Sequence, residues 1–117
     1  MGKVKQRMGT LSKTGKEAKG SKRTSLPLIP DYTRTFMRDW EKLSRSGIYD
    51  MRRLKKVMLL LIDNEGELPT EYRDHPLTGD WRGCRECHIS GDFLLIYKKN
   101  EPTVVFVRTG THTELFD

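Results

Sequence analysis

From residue 26 onward, apolar and polar positions follow first a helical and then a strand period. Leu26-Pro27-Leu28-Ile29-Pro30 is a short extended stretch, and its two prolines confine it to a sheet edge or a strand entry. From Tyr32 the spacing changes: Phe36, Trp40 and Leu43 mark one face of a helix that runs to about Ser46 and stops at Gly47. Asp50 is a fitting N-cap for a second helix. Met51, Leu54, Val57, Met58 and Leu61 form its apolar stripe, Arg52, Arg53, Lys55 and Lys56 occupy its other faces, and Asn64-Glu65-Gly66 closes it. So short a link between the two helices predicts an antiparallel hairpin.

After a loop from Glu67 to Gly79, strand-like stretches follow at Trp81 to Ile89, Phe93 to Tyr97 and Thr103 to Arg108, with a turn over Lys98 to Pro102. Short, consecutive, turn-linked strands predict an antiparallel meander. Gly110 is expected to break the last of them, and Thr111 to Phe116 to form one helical turn. The expected fold class is therefore α+β: an N-terminal edge strand and a helical hairpin packed on one face of a small antiparallel sheet, with a short C-terminal helical turn.

Length and charge refine this. At 117 residues the chain holds one domain, residues 26–117, plus a tail, residues 1–25. That tail has eight Lys or Arg against the single acid Glu17, no aromatic residue, and much Gly, Ser and Thr, so it is expected to be disordered. The whole chain carries +6 and the tail +7, which leaves the domain near neutrality. Bulk charge therefore says little about a nucleic-acid partner for the domain. No apolar run reaches the length of a membrane span, and no secretory apolar segment follows the basic start, so the expected location is the cytoplasm, with reduced cysteines.

One motif suggests a cofactor. Cys84-Arg85-Glu86-Cys87-His88 has the C-x-x-C-H spacing of covalent haem attachment. On a strand, however, Cys84 and Cys87 point to opposite faces and cannot reach one porphyrin edge. A zinc knuckle would need a second ligand pair, and the chain has only these two cysteines. No haem, other cofactor or metal is expected.

The three histidines carry more. His75, His88 and His112 each fall at the edge of a predicted element, with Asp74, Asp92, Arg85 and Arg108 nearby in the pattern. Imidazole exchanges protons near neutrality, and the planar fork of arginine suits a phosphate. Together with a carboxylate they suffice for metal-free RNA cleavage, in which a base takes the ribose 2′-OH proton and an acid protonates the leaving 5′ oxygen. On chemistry alone, histidines that merely finish turns are the favoured reading.

The strings YRDHPLTGDWRG, RE-x-HISGDFLLIYKK and VFVRTGTHTELF add a further signal. Together with the helical hairpin they resemble, from about residue 32 to 116 and in order, the YafQ-type branch of the RelE/ParE superfamily, the small toxins of type II toxin–antitoxin systems. The resemblance implies a RelE-like fold and a metal-independent mRNA interferase that cuts in the ribosomal A site and is held inactive by a cognate antitoxin. It implies His112 as general acid, His75, His88 and Asp92 in base or positioning roles, Arg108 for phosphate stabilisation and Phe116 for stacking on a base. Arg85 and the basic residues Arg52, Arg53, Lys55 and Lys56 are candidates for contact with substrate and with 16S or 23S rRNA. The chain departs from the family pattern in its basic tail, in Phe93 where tryptophan is expected, and in Cys84 and Cys87. Trp40 and Trp81 are expected in the core. Two rivals share the fold: a non-catalytic binder of RNA or ribosome, and a ParE-like inhibitor of DNA gyrase. The full histidine set with Asp92 and Arg108 favours cutting, and requires those five side chains to converge on one phosphodiester.

Overall fold

A Thr-initiated helix and an Asp-initiated helix form the hairpin; the second cap is the Asp50 that the sequence indicates, and the first, Thr33, is supplied by the structure. In the computed structural model, which describes residues 25–116, α1 spans Arg34–Ser46 and α2 spans Met51–Asp63. Thr33 Oγ1 accepts from the Phe36 N–H at 2.9 Å and donates to the Val107 carbonyl at 2.7 Å, so the cap also fastens the helix start to the sheet. Asp50 Oδ1 accepts from the Arg53 N–H at 3.0 Å. Gly47 (φ 73°) ends the first helix in the left-handed region that glycine adopts without strain. The basic segment, apart from Ser25, lies outside the described residues, and so does the expectation made for it.

Five strands are present among the described residues: β1 (Ile29–Tyr32), β2 (His75–Pro76), β3 (Arg85–Ser90), β4 (Phe93–Asn100) and β5 (Thr103–Thr111). The sheet order is β1-β5-β4-β3-β2; β3, β4 and β5 form the expected meander, β2 adds antiparallel to β3, and β1 runs parallel to β5. The short helix α3 (His112–Phe116) follows β5 directly. β1 is an edge strand, as Pro30 requires. Ile29 and Thr33 donate inward to the Pro102 and Phe106 carbonyls, while on the outer side Pro30 has no N–H and the Tyr32 N–H is taken by Asp31 Oδ1. The edge thus offers little to a foreign strand.

The sequence expectation differs from the structure in several places. β1 begins three residues later than the first extended stretch. Trp81 lies in a single 3-10 turn (Gly79–Trp81), and β3 starts only at Arg85. Lys98 to Asn100 remain in β4, because their backbones still pair with Thr103 to Val105. Gly110 does not break β5; it sits inside the strand opposite Leu94, where a Cβ would come within 2.8 Å of Glu114 Oε1. Glycine there lets α3 fold back against its own strand.

Both faces of the sheet are buried, rather than one. Phe36, Leu54, Val57, Leu95, Tyr97 and Phe106 belong to the main core beneath the helices. On the other face Leu94, Ile96 and Leu115 make a second, smaller core, covered by Leu77, Trp81, Cys84 and Val107. This accounts for the uninterrupted apolar run Phe93 to Tyr97, since a strand covered on both faces need not alternate. Cys87 lies in the main core and Cys84 against the small one, the separation that the strand period requires. No helix among the described residues is long and apolar enough to cross a membrane.

Candidate active site

Alternation along β3 places Arg85, Cys87 and Ile89 toward the helices, and Glu86 and His88 on the opposite face. β2 brings His75 into register with Glu86. At the far end of β3 the ladder slips by one residue between His88 and Ser90, and the Gly91-Asp92 turn follows. β5 delivers the fourth element: Thr111 pairs with Phe93, so His112, the first residue of α3, arrives beside Asp92. A capping box holds it there. The Thr111 N–H donates to Glu114 Oε1 at 2.9 Å, and the Glu114 N–H donates to Thr111 Oγ1 at 3.3 Å.

The three imidazoles form a row. The ring centres of His75 and His88 are 6.2 Å apart, and those of His88 and His112 also 6.2 Å. At one end, His112 Nδ1 lies 2.7 Å from Asp92 Oδ1. This hydrogen bond is the main cause that holds the Asp92 carboxyl below its ordinary value, so near neutrality Asp92 is an acceptor and the proton sits on Nδ1. The Nε2 of His112 is then the atom that exchanges protons with a substrate.

At the other end, His75 Nε2 lies 3.2 Å from Glu86 Oε1, and His88 Nε2 lies 3.7 Å from the same oxygen. His75 Nδ1 is 2.8 Å from the Arg73 carbonyl, which only accepts, so Nδ1 carries a hydrogen. Glu86 is only 4% exposed against 46% for His75, and its Oε2 is buried with no hydrogen-bond partner. Such a group costs stability, which is a mark of a functional position.

Four of the five side chains expected to converge do so: His75, His88, Asp92 and His112. Arg108 is engaged elsewhere. Its Nε and Nη2 donate to Asp39 of α1 at 3.0 and 2.9 Å, and the Thr109 N–H joins the same carboxylate at 3.1 Å. That hydrogen bond is the first cause of the raised pKa of Arg108. Arg85 stands on the helix side of the sheet, paired with Asp74 at 3.2 Å, and Asp74 also accepts from the Tyr97 hydroxyl at 2.6 Å. Arg52, Lys55 and Lys56 are exposed on α2, which packs on the sheet face opposite Glu86 and His88. Arg53, on the same helix, turns inward to Glu71 and the Ile89 carbonyl.

Phe116 is 39% exposed and borders the row of histidines, with its ring centre 5.7 Å from that of His112 and 5.9 Å, edge-on, from that of Trp81. Trp81, expected in the core, is half-buried and completes this aromatic shelf. Chemically, the arrangement offers proton donors and acceptors at both ends of a short groove and a stacking surface beside it. The ligand atoms of His75, Glu86 and His88 also lie within 4.8 Å of one another, a set suited to zinc or copper.

Residues 28–117 match the family model described as the bacterial toxin of type II toxin–antitoxin systems, YafQ. The chain belongs to the YafQ toxin family. The mRNA interferase toxin YafQ of Escherichia coli strain K12 is 44% identical over 86 residues, covering 74% of this chain and 92% of that toxin. Among solved structures, YafQ in the E. coli DinJ–YafQ complex superposes with a TM-score of 0.70 at 42% identity, over 77% of this chain and 99% of that one. The metal-bound toxin from Helicobacter pylori gives a TM-score of 0.68 at 37% identity, over 76% and 99% of the two chains. The YafQ fold is thus present over nearly the full length of these relatives.

Two members of this candidate site escaped the sequence reading. Glu86 stands two residues before His88, so the strand period alone would place it on the same face. Trp81 lies in the same D-H-P-L-x-G-x-W run as His75, but whether an aromatic is core or shelf depends on what covers it.

Proposed function

We propose that this toxin is an endoribonuclease that cleaves mRNA by attack of the ribose 2′-OH on the adjacent phosphorus, with the protein's own side chains as acid and base. The observation that carries this reading is the split of the histidine row into two proton-handling units, His112–Asp92 at one end and His75–Glu86–His88 at the other. In-line displacement needs a base on one side of the phosphorus and an acid on the other. The His75–Glu86–His88 unit takes the 2′-OH proton at an imidazole of the row, and the buried Glu86 carboxylate balances the charge that results. The imidazolium so formed faces the charge that develops on the phosphorane oxygens. His112, its Nδ1 proton held by Asp92, gives the Nε2 proton to the departing 5′ oxygen. Phe116 and Trp81 stack on a base beside the scissile bond, a contact tolerant of sequence. Arg108 reaches the phosphate by exchanging one of its Asp39 hydrogen bonds for a phosphate oxygen.

The curated relative is an mRNA interferase, and another is seen in complex with DinJ. By that likeness the toxin acts in the bacterial cytoplasm on mRNA in the ribosomal A site, with Arg52, Lys55 and Lys56 and the basic N-terminal segment toward ribosomal RNA, and is silenced by a cognate antitoxin. No step needs a metal. An ion at His75, Glu86 and His88 would occupy the base.

His112→Ala tests the reading. Primer extension on transcripts should show cuts with the parent and none with the variant, which should still bind its antitoxin. Undiminished cutting by the variant overturns the acid assignment. A supercoiling assay addresses the gyrase rival: inhibition by His112→Ala and parent alike would favour it.

A further inference from the structure

Arg53 lies outside the groove yet touches both strips of chain that deliver its residues. From the first turn of α2 its Nε–H donates to the Ile89 carbonyl. Its Nη2 donates to Glu71 at 2.8 Å, and its guanidinium carbon lies 4.8 Å from the centre of the Tyr72 ring. Ile89 is the residue left over where the β3–β4 ladder slips between His88 and Ser90, so its backbone has lost its place in the regular pairing. It stands one residue after His88 and three before Asp92. Glu71 and Tyr72 belong to the 3-10 turn Thr70–Tyr72, and Tyr72 stands three residues before His75. Tyr72 is itself buried in the main core, so the platform beneath the guanidinium is fixed.

We infer that Arg53 is a positioning residue for RNA cleavage, one that sets the spacing between His75 and the His88–Asp92 segment from the far side of the sheet. The planar fork suits this work, because one group meets a backbone carbonyl and a carboxylate at a fixed angle while stacking on an aromatic ring. The bulge is where the strand is free to re-aim His88 and Asp92, and the 3-10 turn is where the approach to His75 is free to slide. A single cation bonded to both removes that freedom. A misplacement near 1 Å costs about 100-fold in such chemistry. This role replaces contact of Arg53 with RNA, and it rests on the endoribonuclease reading.

The test uses the full chain with ribosomes programmed with a defined mRNA, under single-turnover conditions with toxin concentration varied. Arg53→Gln should lower the maximal rate by about 10- to 100-fold, with the half-saturating concentration and the salt dependence unchanged. Arg53→Lys, which reaches one partner at a time, should recover part of the rate. In Arg53→Gln the Asp92 carboxyl, followed by NMR, should titrate closer to its ordinary value of 3.8, because the His112 contact that holds it down loosens. An RNA-binding role predicts the reverse: an unchanged maximal rate, weaker half-saturation and a shallower salt slope. That result overturns the inference. Glu71→Gln decides the matter if Arg53→Gln does not fold. Loss of one anchor should lower the maximal rate; an unchanged rate with tighter RNA binding, expected if Arg53 is freed as an RNA cation, overturns it. His112→Ala run in parallel separates the two failures: if it cuts as the parent does, the acid–base reading of this site falls, whereas if it is inactive and Arg53→Gln cuts normally, only the positioning role falls.

Discussion

Replacing Glu86 by leucine should make the protein more stable and inactive. Glu86 is buried to 4% side-chain exposure, and only Oε1 has neighbours, His75 Nε2 at 3.2 Å and His88 Nε2 at 3.7 Å. The second oxygen is buried and unpaired. An unsatisfied buried polar atom costs about 1–3 kcal/mol, and the one contact within hydrogen-bond range returns about 1 kcal/mol. Leucine has similar bulk and would lie against the small core of Leu94, Ile96 and Leu115 on the same sheet face. The net expectation is a gain of about 1 kcal/mol, which for a domain of this size raises Tm by about 4–8 °C. Disabling the general-base unit lowers the rate by about 100- to 10,000-fold. Thermal unfolding by circular dichroism and single-turnover mRNA cleavage measure the two quantities on one preparation. Glu86→Gln keeps the shape and removes the charge, and should share the loss of activity. If Glu86→Leu lowers Tm by several degrees and still cuts, the carboxylate is a structural group and its place in the base unit is wrong.

Asp39→Asn removes the charge that holds Arg108 and leaves one acceptor for three donors; about 1–2 kcal/mol of stability should be lost, and an unchanged Tm would mean that this pair holds nothing together. Glu114 is kept below its ordinary value of 4.5, first by the Thr111 N–H and then by Lys42. Its contribution is therefore complete above pH 4.5 and lost as pH falls through the lowered value. Glu114→Gln should cost about 1 kcal/mol at neutral pH, and the difference from the parent should vanish in strong acid; a difference that persists there contradicts the cap. Copper or zinc added to the metal-free toxin should inhibit cleavage, and a chelator should restore it. Activation by metal, or loss of activity on chelation alone, would contradict the acid–base scheme.

The helical hairpin was legible because its signals are local. Gly47, Asp50 and Asn64 act through side chains and dihedrals within a turn of where they stand, and the apolar stripes have the right period. The meander was legible for the same reason. β2 was not, since two residues carry no period, and neither was the continuation of β5 through Gly110, which depends on where Glu114 folds back. In the site, His75, His88, Asp92 and His112 were found by residue type and resemblance, and the sheet register brings them together. Arg108 and Arg53 show the limit. Both are exposed cations by composition, yet each is claimed by partners distant in sequence, Asp39 and Glu71, and no local pattern announces that.

The claim on which the rest depends is that this groove moves the protons of 2′-OH attack. The direct measurement is cleavage of an mRNA carrying a single 2′-deoxynucleotide on the 5′ side of the scissile phosphate, beside an all-ribose control, on programmed ribosomes. The account predicts that the control is cut and the substituted message stays intact at that bond. Equal cutting of both would show that no 2′ oxygen attacks, and the roles given to Glu86 and His112 would fall together.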